Sequence, residues 1–103
     1  MAVGTARAAL ILVIKRFRLK QGADEVAFVE ADHRLQHEFT SKQPGIIQCT
    51  TAKTIGGEWL VLHLWTSTEA ADAPSADNDP VVEAWVDFID ESTATMTRFE
   101  SIE

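Results

Sequence analysis

One cysteine, Cys49, stands in a chain of 103 residues. No internal disulfide can brace the fold, and a lone thiol fits a reducing cytosol. Long hydrophobic runs are also missing. The apolar stretch Ala8 to Ile14 is followed at once by Lys15-Arg16-Phe17-Arg18. It is too short to cross a bilayer and lacks the cleavage site of a signal peptide. Positive charge is scarce and one-sided: nine Lys and Arg oppose sixteen Asp and Glu, for a formal net charge of −7. Phosphate neutralisation needs a basic footprint, so nucleic acid is excluded as a partner. No internal repeat or low-complexity segment is present. The expectation is a cytoplasmic protein with no membrane association.

What the chain does have is a 46% hydrophobic fraction, enough for one domain to bury a core without metal or disulfide. Residues 1–8 read as a flexible N-terminal tail and 9–103 as a single domain. The stretch that organises it is Trp59 to Trp65, apolar on both faces of an expected strand: Trp59, Val61, His63 and Trp65 alternate with Leu60, Leu62 and Leu64. Thr66-Ser67-Thr68-Glu69 then has capping-box spacing and should start a helical turn over Glu69 to Ala73.

Upstream, Ala9 to Leu19 reads as strand one, with a helix from about Asp24 to Ser41. The buried stripe of that helix is Phe28, Ala31, Leu35 and Phe39, and Asp24 is its N-cap. Pro44-Gly45 marks a turn into strand two, Ile46 to Lys53. Thr54-Ile55-Gly56-Gly57 connects strand two to the organising strand. Past a small-residue loop from Pro74 to Asp79, Asp79-Pro80 opens a second helix whose stripe is Val81, Trp85, Phe88 and Ile89. Thr95 to Ile102 is the last strand.

This order predicts a ferredoxin-like α+β fold: a four-stranded antiparallel sheet with both helices on one face. The opposite face would carry the row Trp59, Val61 and Trp65. A bare apolar patch of that size calls for cover, and a second copy packed sheet to sheet is the expected one, giving a homodimer.

Phe17-Arg18-Leu19-Lys20-Gln21-Gly22, Pro44-Gly45 and Trp65-Thr66-Ser67-Thr68-Glu69-Ala70 resemble the antibiotic-biosynthesis-monooxygenase family of dimeric α/β barrels. The resemblance extends over about residues 9 to 102. It implies ferredoxin-like subunits paired into a barrel and a pocket between sheet and helices. It further implies oxidation of a small aromatic phenol or quinol by molecular oxygen with no cofactor. Heme-degrading members carry an asparagine late in strand one and a histidine in the loop after the position of Trp65. This chain has Lys15 or a neighbour at the first place and Pro74-Ser75 at the second, so the resemblance does not extend to heme degradation.

The candidate catalytic residues are His63, Trp65 and Arg98; the candidate substrate-binding residues are Lys15, Phe17, Trp65, Trp85 and Thr97. With strands one and three expected as parallel neighbours and strand four antiparallel beside strand one, these side chains should gather at one end of the sheet. An aromatic wall with a cation and an imidazole suits a planar phenol: the cation favours a phenolate, and His63 can accept a proton near neutral pH. In the plainer reading the tryptophans are dimer core and His63 is a hydrogen-bonded passenger. A non-catalytic ligand-binding barrel and a cyclase or isomerase with His63 as base are the alternative functions. Glu30, His33 and His37 share a helix side at metal-binding spacing, but they read as a solvated face with no further ligand in view, so no metal is assigned. Cys49 reads as a small buried strand residue.

Overall fold

The computed structural model describes residues 9–74 and 79–102. The expected tail at 1–8 and the centre of the loop after Pro74 lie outside them. The elements are β1 (Ile11–Leu19), α1 (Glu25–Glu38), a 3-10 turn (Thr40–Lys42), β2 (Ile46–Lys53), β3 (Trp59–Trp65), α2 (Thr68–Asp72), α3 (Pro80–Val86) and β4 (Ile89–Glu100).

Each helix begins where a short polar side chain can satisfy free backbone N–H groups. The Asp24 carboxylate accepts from the Val26 and Ala27 amides, and that of Asp79 accepts from Val81, with Pro80 in the first turn. Ser67, one residue beyond the expected Thr66, caps α2 by accepting from Ala70. The turn into β2 depends on Gly45, whose φ is +86°. A Cβ there would lie 2.5 Å from that of Ala70 and 2.8 Å from Thr66 Oγ1. Only glycine lets β2 start this close to α2.

One element differs from the sequence expectation. The second long helix ends at Val86, and Ile89 is a strand residue paired with Leu19 and fully buried. β4 is therefore twelve residues long and starts six residues before Thr95. Ladder hydrogen bonds to β1 outweigh a helical spacing that Phe88 and Ile89 also satisfy. A bulge opposite Arg16 to Arg18 takes up the extra length, and the Arg18 amide donates to Thr93 Oγ1 at 2.8 Å.

The sheet has the order β2-β3-β1-β4, and every neighbouring pair is antiparallel. The fold is ferredoxin-like, as expected. The expected parallel pairing of β1 with β3 is overturned: Ile11 opposes Trp65 and Phe17 opposes Trp59. The α1 crossover returns β2 in the direction of β1, and the hairpin then reverses β3 against both.

The expected assignment of the sheet faces is also overturned. Trp59, Val61 and Trp65 are 6%, 7% and 4% exposed and lie under the helices. The bare face instead carries Leu12, Ile14, Leu60, Leu62 and Leu64, with Thr97 and Phe99 opposite them on β4. Alternation says which side chains share a face but not which face the helices cover. Aromatic packing decides it. Phe28 of α1 is fully buried and meets Phe17, Trp59 and Phe88 edge to face, with ring centroids 5.9, 4.9 and 5.8 Å apart. Phe17 meets Trp85 the same way at 5.4 Å.

Candidate functional site

The aromatic core fills one end of the space between sheet and helices. Farther along β1 and β3 the space opens into two adjoining lobes of about 210 Å³ each. Val13, Phe39, Thr40, His63 and Met96 line both lobes. Lys15, Val61, Val82 and Trp85 complete the first; Gln43, Trp65, Pro74 and Arg98 complete the second. His63 thus sits at the junction.

His63 is placed there by register. It opposes Val13, which in turn opposes Arg98 on β4, so all three share the helix-covered face. Its Nε2 is sealed from solvent and has no hydrogen-bond partner among the described residues. Burial pushes the imidazole pKa below the usual histidine value, while the negative charge of Asp32 pulls it partly back. His63 lines both lobes, and a neutral imidazole is chemically competent to take a proton.

The Trp65 ring lies 5.9 Å from that of His63, edge to face, and walls the second lobe. Trp85 covers the first lobe, and Lys15 Nζ stands 5.2 Å over its ring. Arg98 lies beside the second lobe, bridged to Asp72 at 2.8 Å. Two expected site residues fall elsewhere. Phe17 is fully buried in the aromatic core, where it supports Trp85 and lines neither lobe. Thr97 opposes Ile14 on the bare face, because the residue next to Arg98 on a strand must point the other way. The expected gathering at strand ends is accordingly replaced by one at mid-strand.

Asp32 is the residue the sequence reading passed over. It is 5% exposed. Its Oδ1 accepts the Trp85 indole N–H at 2.9 Å and its Oδ2 accepts the Gln36 amide at 2.8 Å. Gln36 also donates to Thr51 on β2 at 3.0 Å. The signal was available, since Asp32 stands four residues after Phe28 and three before Leu35, inside the buried stripe. Cys49, opposite His63 on β2, has its thiol pKa pushed up to about 11 by burial and then by Asp32, which leaves it a poor nucleophile. Glu30, His33 and His37 lie on the exposed side of α1. Among the described residues no group of three or more His, Cys, Asp or Glu side chains is placed to hold a metal.

A wider groove of about 400 Å³ runs over the bare face along Ile14, Leu60, Thr97 and Phe99. The charged groups on its rim, Arg16 with Glu58 and Lys53 with Glu25, are already paired. The candidate residues His63, Trp65 and Arg98 lie on the helix side.

These features define a small ferredoxin-like protein with a cavity between its sheet and its helices. Solved structures share the fold. A cofactor-independent oxygenase from Streptomyces nogalater, SnoaB, superimposes with a TM-score of 0.75 over 93% of this chain and 96% of its own, at 18% identity. A protein described as a candidate antibiotic biosynthesis monooxygenase from Caulobacter crescentus gives 0.76 over 94% and 93%, at 16% identity. A conserved protein from Methanosarcina mazei gives 0.74 over 93% and 96%, at 15% identity. No protein-family model matches the sequence, and no curated protein matches it. Among the described residues no helix is long and apolar enough to cross a membrane.

Proposed function

We propose that this chain is a cofactor-free monooxygenase that oxidises a small phenol or quinol with molecular oxygen in the cavity beside His63. The observation that carries the reading is His63 at the junction of two lobes walled by Trp85 and Trp65, with a buried Nε2 that has no hydrogen-bond partner among the described residues. The likeness in fold to a protein named as a cofactor-independent oxygenase supports it.

In this reading the substrate ring lies against the tryptophans and its hydroxyl faces His63. The O–H bond breaks, the proton moves to the His63 imidazole, and the phenolate is held by Lys15 or Arg98. An electron-rich phenolate passes one electron to oxygen. The resulting pair recombines with a new C–O bond, and the peroxide anion takes back the proton held on His63, giving a hydroperoxide at a carbon that still bears hydrogen. Loss of water leaves a quinone, so one oxygen atom enters the product and the other leaves as water. The protein supplies deprotonation, orientation and a dry site; general-base catalysis alone is worth about 10²–10⁴-fold.

The bare leucine-rich face carries a second part of the proposal, a homodimer joined sheet to sheet. Leu12, Ile14, Leu60, Leu62 and Leu64 form an apolar patch that a second copy would cover. Oxygen uptake with a panel of hydroquinones and anthrones tests the activity. Uptake above the buffer rate that disappears in His63→Ala supports it. Ligand-induced thermal stabilisation without product points instead to a binding protein, and turnover without oxygen to a cyclase or isomerase using the same base.

A further inference from the structure

A carboxylate buried without a cation is costly, and proteins keep one where its charge is used. Asp32 is such a group. Its hydrogen-bond donors, the Trp85 indole and the Gln36 amide, are both neutral. Among the described residues no Lys, Arg or His makes an ion pair with it. The network joins three elements: Asp32 and Gln36 on α1, Trp85 on α3 and Thr51 on β2.

The other charged groups around His63 are cations. Lys15 on β1 and Arg98 on β4 line the same cavity, and Arg98 is paired with Asp72 of α2. Cys49 faces His63 from β2 as a neutral thiol. The residues of α3 that line the cavity, Val82, Trp85 and Val86, carry no charge. Asp32 is the buried negative charge next to this cavity: it holds Trp85, which lines the same lobe as His63, and it shares a surface hollow with Cys49, the residue opposite His63.

We propose that Asp32 is a positioning residue: it is the built-in counter-charge for the imidazolium that His63 becomes on taking the substrate proton, and it anchors the Trp85 roof over the cavity. The substrate O–H breaks, an N–H forms on the imidazole, and the new positive charge lies in the field of Asp32. This role rests on His63 as the base, but the charge coupling itself can be measured without any substrate.

The experiment follows the His63 ring signals by NMR across pH in the ligand-free protein, in the unsubstituted chain, in Asp32→Asn and in Trp85→Phe. Asp32→Asn keeps the side-chain shape and removes the charge, so the His63 midpoint falls by about half a pH unit or more. Trp85→Phe removes a hydrogen bond and keeps the charge, so the midpoint stays near that of the unsubstituted protein. If Asp32→Asn does not fold, the Asp32 carboxyl carbon signal of the unsubstituted protein shows a step at the His63 midpoint. An unmoved midpoint in folded Asp32→Asn, an equal fall in Trp85→Phe, or no step at the carboxyl carbon overturns the proposal. In turnover, Asp32→Asn lowers kcat and moves the acid limb of kcat/KM to lower pH, whereas a purely structural residue would leave that limb in place. Absence of turnover in every form would sink the oxygenase reading and leave the titration result standing.

Discussion

The two faces of this sheet are built from the same four strands and from alternating residues of the same β3, yet they solve different problems. The helix-covered face carries Trp59, Val61, His63 and Trp65 with a buried aromatic core and a buried hydrogen-bond network. The bare face carries Leu60, Leu62 and Leu64 with no buried polar group among its residues. The first contains shape, a titratable group and a cavity, which chemistry needs. The second contains an apolar centre of leucines with paired charges at its rim, which association needs. A single seven-residue strand therefore belongs to both the candidate site and the candidate interface.

The contrast can be broken most severely at the centre of the covered face. Phe28→Ala removes the ring that meets Phe17, Trp59 and Phe88 and should cost about 3–5 kcal/mol. Thermal unfolding would then show Tm lower by more than about 12 °C. On the bare face, Leu62→Asp should leave the chain folded but sediment as a single chain, with turnover per chain reduced only as far as the cavity depends on the second copy. Sedimentation velocity with circular dichroism checks both; a persistent dimer would show that this face is not the interface.

Within the covered face, His63→Ala should reduce turnover by about 10²–10⁴-fold while preserving the fold, read by steady-state kinetics beside a thermal melt. A smaller effect concerns pH. The folded-state pKa of His63 is depressed by burial, so the unfolded chain binds its proton first as pH falls. Stability is fully present above the unfolded histidine value of 6.5 and declines as pH drops from there towards the folded value. Denaturation midpoints measured from pH 8 to 5 should fall less steeply in His63→Gln. Equal slopes would show that the imidazole is no more buried than in the unfolded chain.

The sequence makes some of this architecture readable and hides the rest for definable reasons. Strand boundaries at Ile46, Lys53 and Trp65 and the caps at Asp24 and Asp79 follow from local chemistry, and these are where reading and structure agree. The end of α3 does not, because Phe88 and Ile89 suit a helix stripe and a strand equally and the partner strand decides. The facing of β3 is hidden for a similar reason: alternation pairs Trp59 with Trp65 but cannot say which side the helices lie on. At the site, His63, Trp65, Lys15, Trp85 and Arg98 are recognisable as side chains suited to a phenol. Thr97 does not belong with them because it neighbours Arg98 on β4 and so points to the other face, and Phe17 does not because it is an aromatic of the core. Asp32 was legible as a charge within an apolar stripe, a mismatch between levels that marks functional positions.

The central claim is that the covered face, through His63, performs a reaction. Oxygen consumption and product formation with hydroquinones, compared between the unsubstituted protein and His63→Ala at equal folded concentration, test it most directly. One oxygen molecule should be consumed per quinone formed, at a rate well above buffer, and this consumption should be lost on removing the imidazole. Turnover that persists unchanged in His63→Ala, or none in either protein with any phenol tried, would contradict it.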